Sequence, residues 1–310
     1  MVDLEYLNRI QLVDNPRVQR AIARLVLLPN YEIFRKVEIV VENCERIPRN
    51  ENVIFAMNHT DRFNYWPFQY YLWRRRGYAY TTVWVKGKYY RNAILAKTLD
   101  LCNLIPVPSM GYLIEEFYTK RHGRRIAKDD YRRVRDAVEG NAADGETFAR
   151  RLEETSRLFD DRFVEFIRDY YEKIMARVAE LSLLALFKKG LSIIIFPEGT
   201  RGAQLGEGRT GIAQLALHTL KTVVPVGCSH CDTIYPGSSP FAKSGQVLYR
   251  VGEPLTIQEA FRSFRIGTPF ALLSRESQQR HRSQFEGATQ FIMERINGLL
   301  DEAYRKPVGT

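Results

Sequence analysis

A histidine that follows an apolar run sits where a buried strand gives way to a loop, the place where an α/β fold gathers reactive groups. His59 is such a residue. It comes after Val53-Ile54-Phe55-Ala56-Met57 and lies within the polar stretch from Asn58 to Asn64. With an unperturbed pKa of about 6.5, histidine suits a general base. Acyl transfer from a thioester to a hydroxyl needs one, because the alcohol proton must leave as its oxygen attacks the carbonyl. A lone histidine is more often structural, and the neighbours of His59 are what raise it above that. Asn64 offers an amide oxygen to a ring N–H, as asparagine does in papain-like cysteine proteases, but brings no negative charge. Asp61 is a second candidate to orient the ring. In an extended 59–61 segment both side chains point to one side, whereas in a helix they diverge by about 200°. The alternative is that Asp61 caps the helix that follows.

A second segment, Phe196-Pro197-Glu198-Gly199-Thr200-Arg201, follows the apolar run Ser192-Ile193-Ile194-Ile195. Gly199 permits the close backbone approach that an anionic group needs, and Arg201 offers a planar fork for phosphate. Taken alone, the segment could equally be a Pro-Gly turn with an exposed arginine.

Together the two segments resemble the glycerolipid acyltransferase family, whose signatures are N-H-x-x-x-x-D and F-P-E-G-T-R. The second matches throughout; the first departs at Asn64, where the family carries aspartate. Weaker blocks agree in order: Arg209-Thr210-Gly211, Val224-Pro225-Val226 and Val251-Gly252-Glu253-Pro254-Leu255. The likeness covers residues 37–109 and 182–256.

The resemblance implies that His59 deprotonates the acceptor hydroxyl without an acyl-enzyme, with Asn64 or Asp61 as its orienter. Asn58, Arg62, Lys86, Glu198, Gly199, Thr200 and Arg201 are then the substrate-binding residues. It implies acyl-CoA or acyl carrier protein as donor, a lysophospholipid or related lipid as acceptor, and no cofactor besides the donor. Members that use lysophosphatidic acid end a G-x-x-F-I-D-R-like block in arginine. Here that stretch reads Cys102-Asn103-Leu104-Ile105-Pro106-Val107-Pro108, so a phosphate would need Lys86, Lys88, Arg62 or an arginine of the 110–181 region. A lipid-binding protein of the same fold without activity is the rival reading, motivated by Asn64.

The elements that must position these residues follow from pattern. Strands are expected at 37–41, 53–57, 81–85, 192–196, 223–226 and 247–251, helices at 64–76, 92–99, 211–220 and 283–303, and a short apolar stretch lies at 104–107. The long uninterrupted apolar runs are of the doubly buried kind. Residues 211–220 between two such strands make a β-α-β unit with a right-handed crossover. Helix 15–28 carries Val18, Ile22, Leu25 and Val26 on one face and Arg17, Arg20 and Arg24 on another, suited to a lipid headgroup layer or to packing on its own domain. From about 110 to 181 the chain turns charged and helical, with a turn at Gly140–Gly145. Phe159, Phe163, Phe166, Tyr170, Ile174, Val178 and Leu181 form a stripe suited to a partner helix.

The expected fold class is therefore α/β: a mixed, largely parallel sheet flanked by helices, in one acyltransferase-like domain over 1–310. Residues 1–36 form an amphipathic helical segment, 110–181 a helical insertion read as a lid or tunnel wall for the acyl chain, and 258–310 a helical tail.

Composition sets the outer limits. Lys plus Arg number 46 against 36 Asp plus Glu, a net charge of +10. That balance favours anionic lipid, phosphates or acidic carriers as partners, or simply solubility. Nucleic-acid binding ranks last, since charge alone supports it. Four cysteines without a framework spacing suggest reduced thiols in a cytoplasmic setting. Cys228 and Cys231 lack the second pair that a zinc site needs, so no metal is expected. No stretch has the roughly 18 apolar residues that span a bilayer, so membrane contact is expected to be peripheral, on the inner face.

Overall fold

The computed structural model describes residues 1–139 and 161–307; the turn expected at 140–145 and Phe159 lie outside the described residues. The chain forms two compact units: one of Met1–Ile10, Val85–Leu99 and Pro106–Val178, the other of Gln11–Trp84, Asp100–Ile105 and Ala179–Thr310.

In the first unit, α1 (Leu4–Arg9) precedes a helical group in which Ile114, Tyr118, Val134, Val138, Phe163 and Ile167 form a buried cluster. Phe117 meets Phe166 and Tyr170 edge-on, each with ring centroids 5.1 Å apart. The expected aromatic stripe therefore does pack on neighbouring helices. The backbone N–H groups of Val2 and Leu4 donate to the hydroxyls of Tyr112 and Tyr170, at 2.8 and 2.9 Å, which ties down the N-terminal segment.

The second unit is built on a seven-stranded sheet, of which the last two residues of β3 and of β4 count with the first unit. Its strands are β1 (Val37–Glu42), β2 (Ile54–Met57), β3 (Thr81–Lys86), β4 (Ile105–Val107), β5 (Ser192–Ile195), β6 (Val223–Ser229) and β7 (Gly245–Val251), ordered β1-β7-β6-β2-β5-β3-β4. Every residue of β2, β5 and β6 is buried, and these three strands lie side by side in the middle. Their uninterrupted apolar sequences follow from having both faces covered. β2 is parallel to β5 and β6, β5 to β3, and β7 to β1, while β6 and β7 are antiparallel. The expected mixed, largely parallel sheet is thus the observed one. Its directions have a consequence for the site: β2, β5 and β6 finish at the same end of the sheet where β1 and β7 begin.

Of the two uses open to the apolar face of the N-terminal helix, packing on its own domain does not hold for Leu25 and Val26. α2 (Arg17–Ile22) runs into wide turns over Ala23–Leu27 and Pro29–Ile33, and there Ala23, Leu27 and Tyr31 face the core while Leu25 and Val26 face solvent. Turns closed by i→i+5 bonds carry more residues than an α-turn, so a 3.6-residue stripe drifts out of phase along them. Among the described residues, no helix is long and apolar enough to cross a membrane.

Two helices position the site from either side of the sheet's middle strands: α3 (Tyr65–Arg75) after β2, and α8 (Gly211–Thr219) between β5 and β6, counting α4 (Ala93–Leu101), α5 (Met110–His122), α6 (Lys128–Glu139) and α7 (Asp161–Leu183) before it. After α9 (Cys231–Ile234) and α10 (Arg275–Arg280), helix α11 (Arg282–Leu299) lies so close on β6 that a Cβ at Gly227 would meet backbone atoms of Leu299 at 2.8 and 2.9 Å. Backbone cannot yield as a flexible side chain can. Gly227→Ala should therefore lower stability by about 1–3 kcal/mol, read as a lower urea midpoint. Gly237→Ala, with nothing within 4 Å of its added carbon, should leave the midpoint unchanged.

Candidate active site

The chain leaves β2 through Asn58, whose buried side chain acts as an extra rung of the sheet. Its Nδ2 donates to the Cys228 carbonyl at 2.9 Å, and its Oδ1 accepts from the Cys228 N–H at 2.7 Å. The next residue is thereby fixed against the end of β6. His59 is then held on both sides of its own backbone: its N–H donates to Glu198 Oε2 at 2.7 Å, and its carbonyl accepts from Gly202 N–H at 3.0 Å. Its ring stacks on Phe196, centroids 4.2 Å apart and planes 19° from parallel.

Asn64, fully buried, holds the other edge of that ring. Its Nδ2 donates to the Asn58 carbonyl at 2.7 Å, and its Oδ1 lies 3.3 Å from His59 Nδ1. A backbone carbonyl only accepts, so the amide end facing Asn58 must be the NH2 group, which turns the oxygen toward the histidine. An oxygen facing Nδ1 calls for the proton on Nδ1. Nε2 is then left with its lone pair, the form a general base needs. Asn64 is itself fixed, because its carbonyl accepts from the Tyr249 hydroxyl at 2.6 Å.

Asp61 is engaged in its own turn. Its Oδ1 accepts from Phe63 N–H at 2.7 Å and its Oδ2 from the Thr60 hydroxyl at 3.0 Å, with the Cys231 thiol as a further donor. Nor does it cap the following helix, which starts at Tyr65 with Asn64 in the N-cap position. Burial raises its pKa despite these donors. The structure thus assigns the place beside His59 Nδ1 to Asn64, and gives Asp61 the shape of the loop.

Glu198, expected among the substrate-binding residues, is engaged by backbone. Buried, it accepts from His59 N–H with one oxygen and from Gly206 N–H, at 2.9 Å, with the other. Desolvation raises its pKa against the pull of those two bonds. The residue is a clamp between the two signature loops. Gly199 has φ of 63°, a conformation that glycine adopts without cost, and its N–H closes the turn on Phe196 at 3.0 Å.

Thr200 and Arg201 are exposed, and Arg62 is half-buried. Arg209 lies against the Gly199 turn: its Cδ and Nε are 3.1 Å from where a Cβ would stand, and its N–H donates to the Pro197 carbonyl at 2.8 Å. The sequence holds Arg209 in a weak block eight residues past Arg201, with nothing to mark it as packed on the turn. Lys86 ends β3 and belongs to the first unit.

With this geometry in hand, likeness to known proteins can be weighed. The model of the Acyltransferase family matches residues 38–229, more than half of the chain. The chain belongs to that family. It is also similar to the solved structure of the 1-acyl-sn-glycerophosphate (LPA) acyltransferase PlsC from Thermotoga maritima, at 16% identity and a TM-score of 0.40, over 95% of this chain and 83% of that one. No curated protein matches the sequence.

The clamp makes a pH prediction. Because folding raises the Glu198 pKa, the folded protein still holds a proton that the unfolded chain has lost as pH climbs past the ordinary glutamate range. Stability therefore falls with rising pH through that window and levels off above the raised value. Asp61 adds a step of the same sign. In Glu198→Gln the Glu198 part of the step should vanish, and an amide NH2 should face one of the two backbone N–H groups at a cost of roughly 1–3 kcal/mol. Urea midpoints of both proteins from pH 4 to 8 check this; parallel profiles would contradict it.

Proposed function

We propose that the protein is an O-acyltransferase that moves a fatty acyl group from an acyl-CoA or acyl carrier protein thioester to the hydroxyl of a lysophospholipid or related lipid. The observation that carries this reading is the Asn58-Asn64-His59 chain of hydrogen bonds, which supports Nδ1–H and a basic Nε2 on His59. In the proposed reaction the acceptor oxygen attacks the thioester carbonyl as its proton passes to Nε2. The tetrahedral intermediate collapses, the C–S bond breaks, and the leaving sulfur takes the proton back from the imidazolium. The enzyme ends as it began, and no acyl-enzyme forms. Arg201, two residues past Gly199, and Arg209, packed on the Gly199 turn, are the proposed cations for an anionic headgroup, with Arg62 on the histidine loop as a third.

A second reading, lipid binding without turnover, draws on the neutral Asn64. In a serine protease, exchanging the aspartate behind the histidine for asparagine costs about 10⁴ in turnover. Against it stands the tautomer argument, since asparagine here sets the proton on Nδ1 as an aspartate would.

Acyl transfer by the purified protein, assayed with acyl-CoA and acyl-carrier donors and a panel of lysolipids, should fall by roughly 10²–10⁴ in His59→Ala. Turnover that survives the substitution would remove His59 as the base.

Asn64→Asp distinguishes the two readings. It sets a carboxylate oxygen 2.7 Å from the Asn58 carbonyl, where a donor now stands, and opposed acceptors cost more than the added charge returns. The expected result is a loss of about tenfold or more in kcat. A gain of orders of magnitude from a near-zero rate would favour the inactive binder.

A further inference from the structure

Exposed apolar side chains are common singly, but two segments of the second unit bring several together with cations at one end of the sheet. Ile33 and Phe34 close the N-terminal helical region and are 68% and 73% exposed; Arg35 and Lys36 follow. Phe241, 65% exposed, lies with Lys243 in the loop that leads into β7.

The two segments adjoin. Lys36 N–H donates to Ser244 Oγ at 3.3 Å, Gly245 N–H donates to the Lys36 carbonyl at 3.0 Å, and the hydroxyls of Tyr31 and Tyr235 lie 2.7 Å apart. β1 and β7 start from these segments, at the sheet end where β2 finishes and His59 stands. The acidic residues Glu32 and Glu38 border the patch, and Glu32 is engaged by the Tyr70 hydroxyl and by Arg74.

We propose that this surface docks the protein on an anionic lipid surface, with Ile33, Phe34 and Phe241 entering the headgroup layer and Arg35, Lys36 and Lys243 over lipid phosphates. Charge complementarity selects this occupant. Three cations around apolar tips suit an anionic interface, and a second copy of a chain with net charge +10 would bring like charge to the same patch. Docking there sets the His59 end of the sheet toward the interface. The inference does not rest on acyl transfer, because vesicle binding is measured without turnover.

The test is co-sedimentation of the full chain with vesicles of phosphatidylcholine alone and of phosphatidylcholine with 30% phosphatidylglycerol. Anionic vesicles should bind at least tenfold better, less so in high salt. Phe34→Ser with Phe241→Ser should weaken that binding by about tenfold or more. Phe187→Ser is the control: also exposed, at 55%, it precedes β5 and so lies at the opposite end of the sheet. It should bind as the parent does. Circular dichroism checks that each variant is folded. Equal losses in the double variant and the control would overturn the proposal, as would parent-like binding by the folded double variant. So would a double variant that keeps vesicle binding but changes oligomeric state on size exclusion, which would give the patch to a second copy.

Discussion

Everything at the candidate site depends on which end of one amide faces which neighbour. The Asn58 carbonyl accepts and cannot donate, so it takes the Asn64 NH2 group and leaves the Asn64 oxygen for His59 Nδ1. A single backbone carbonyl at the end of β2 therefore selects the tautomer of a side chain one residue further on. Asn58 can do so only because its own side chain is locked to both backbone groups of Cys228. The proton on the histidine is in this sense set by strand pairing in the middle of the sheet. An aspartate at position 64 would orient the ring by charge; asparagine orients it by the polarity of its two ends.

Burying Glu198 looks costly, and the raised pKa reflects that cost. What offsets it is the position of the two groups it binds. His59 N–H and Gly206 N–H belong to loops far apart in sequence, and neither has a strand partner at its turn. Each of these part-buried N–H groups would cost roughly 1–3 kcal/mol if it were left without a partner. A carboxylate is the one side chain of that length with two acceptors and no donor, so glutamate suits a bridge where glutamine would satisfy only one end. Phe196 from the same segment covers the His59 ring. The Phe196–Arg201 segment thus fixes both the backbone and the ring of His59.

Local pattern made the strands legible. Ile54–Met57, Ser192–Ile195 and Val223–Ser229 are apolar throughout because both faces are covered, and such runs announce themselves. Their order in the sheet, and the antiparallel β7, depend on pairings as distant as Val37 with Gly245, which no local run encodes. At the site, the contact between His59 and Asn64 could be read because residue type and spacing limit what they can touch. The role of Glu198 could not, since its partners are backbone N–H groups that any sequence supplies. Asp61 was ambiguous for a related reason: a carboxylate two residues past a histidine can serve the ring, a helix or its own turn, and the backbone of residues 60–63 decides for the turn. On the N-terminal helix Leu25 and Val26 stay out of the core because wide turns break the helical period there.

The frame of the site extends beyond the segment that marks the family. Tyr249, on β7, holds the Asn64 carbonyl from outside residues 38–229. Tyr304 also lies outside that span, and its carbonyl takes the N–H of Leu205 at 2.9 Å, one residue before the glycine that Glu198 clamps. Tyr304 is anchored in turn by its hydroxyl on Asp232 at 2.8 Å, and neighbouring Asp301 by His230 and Arg250 at 2.8 and 2.7 Å. The loop after Arg201 is long and largely exposed, and such loops wander unless something outside them fixes the backbone. Here the fixing comes from the far end of the chain. Residues 230–305 are then part of what gives Glu198 two partners at the right separation, and through Glu198 part of what holds His59. The precision with which the signature residues meet thus depends on strands and turns that carry no signature at all.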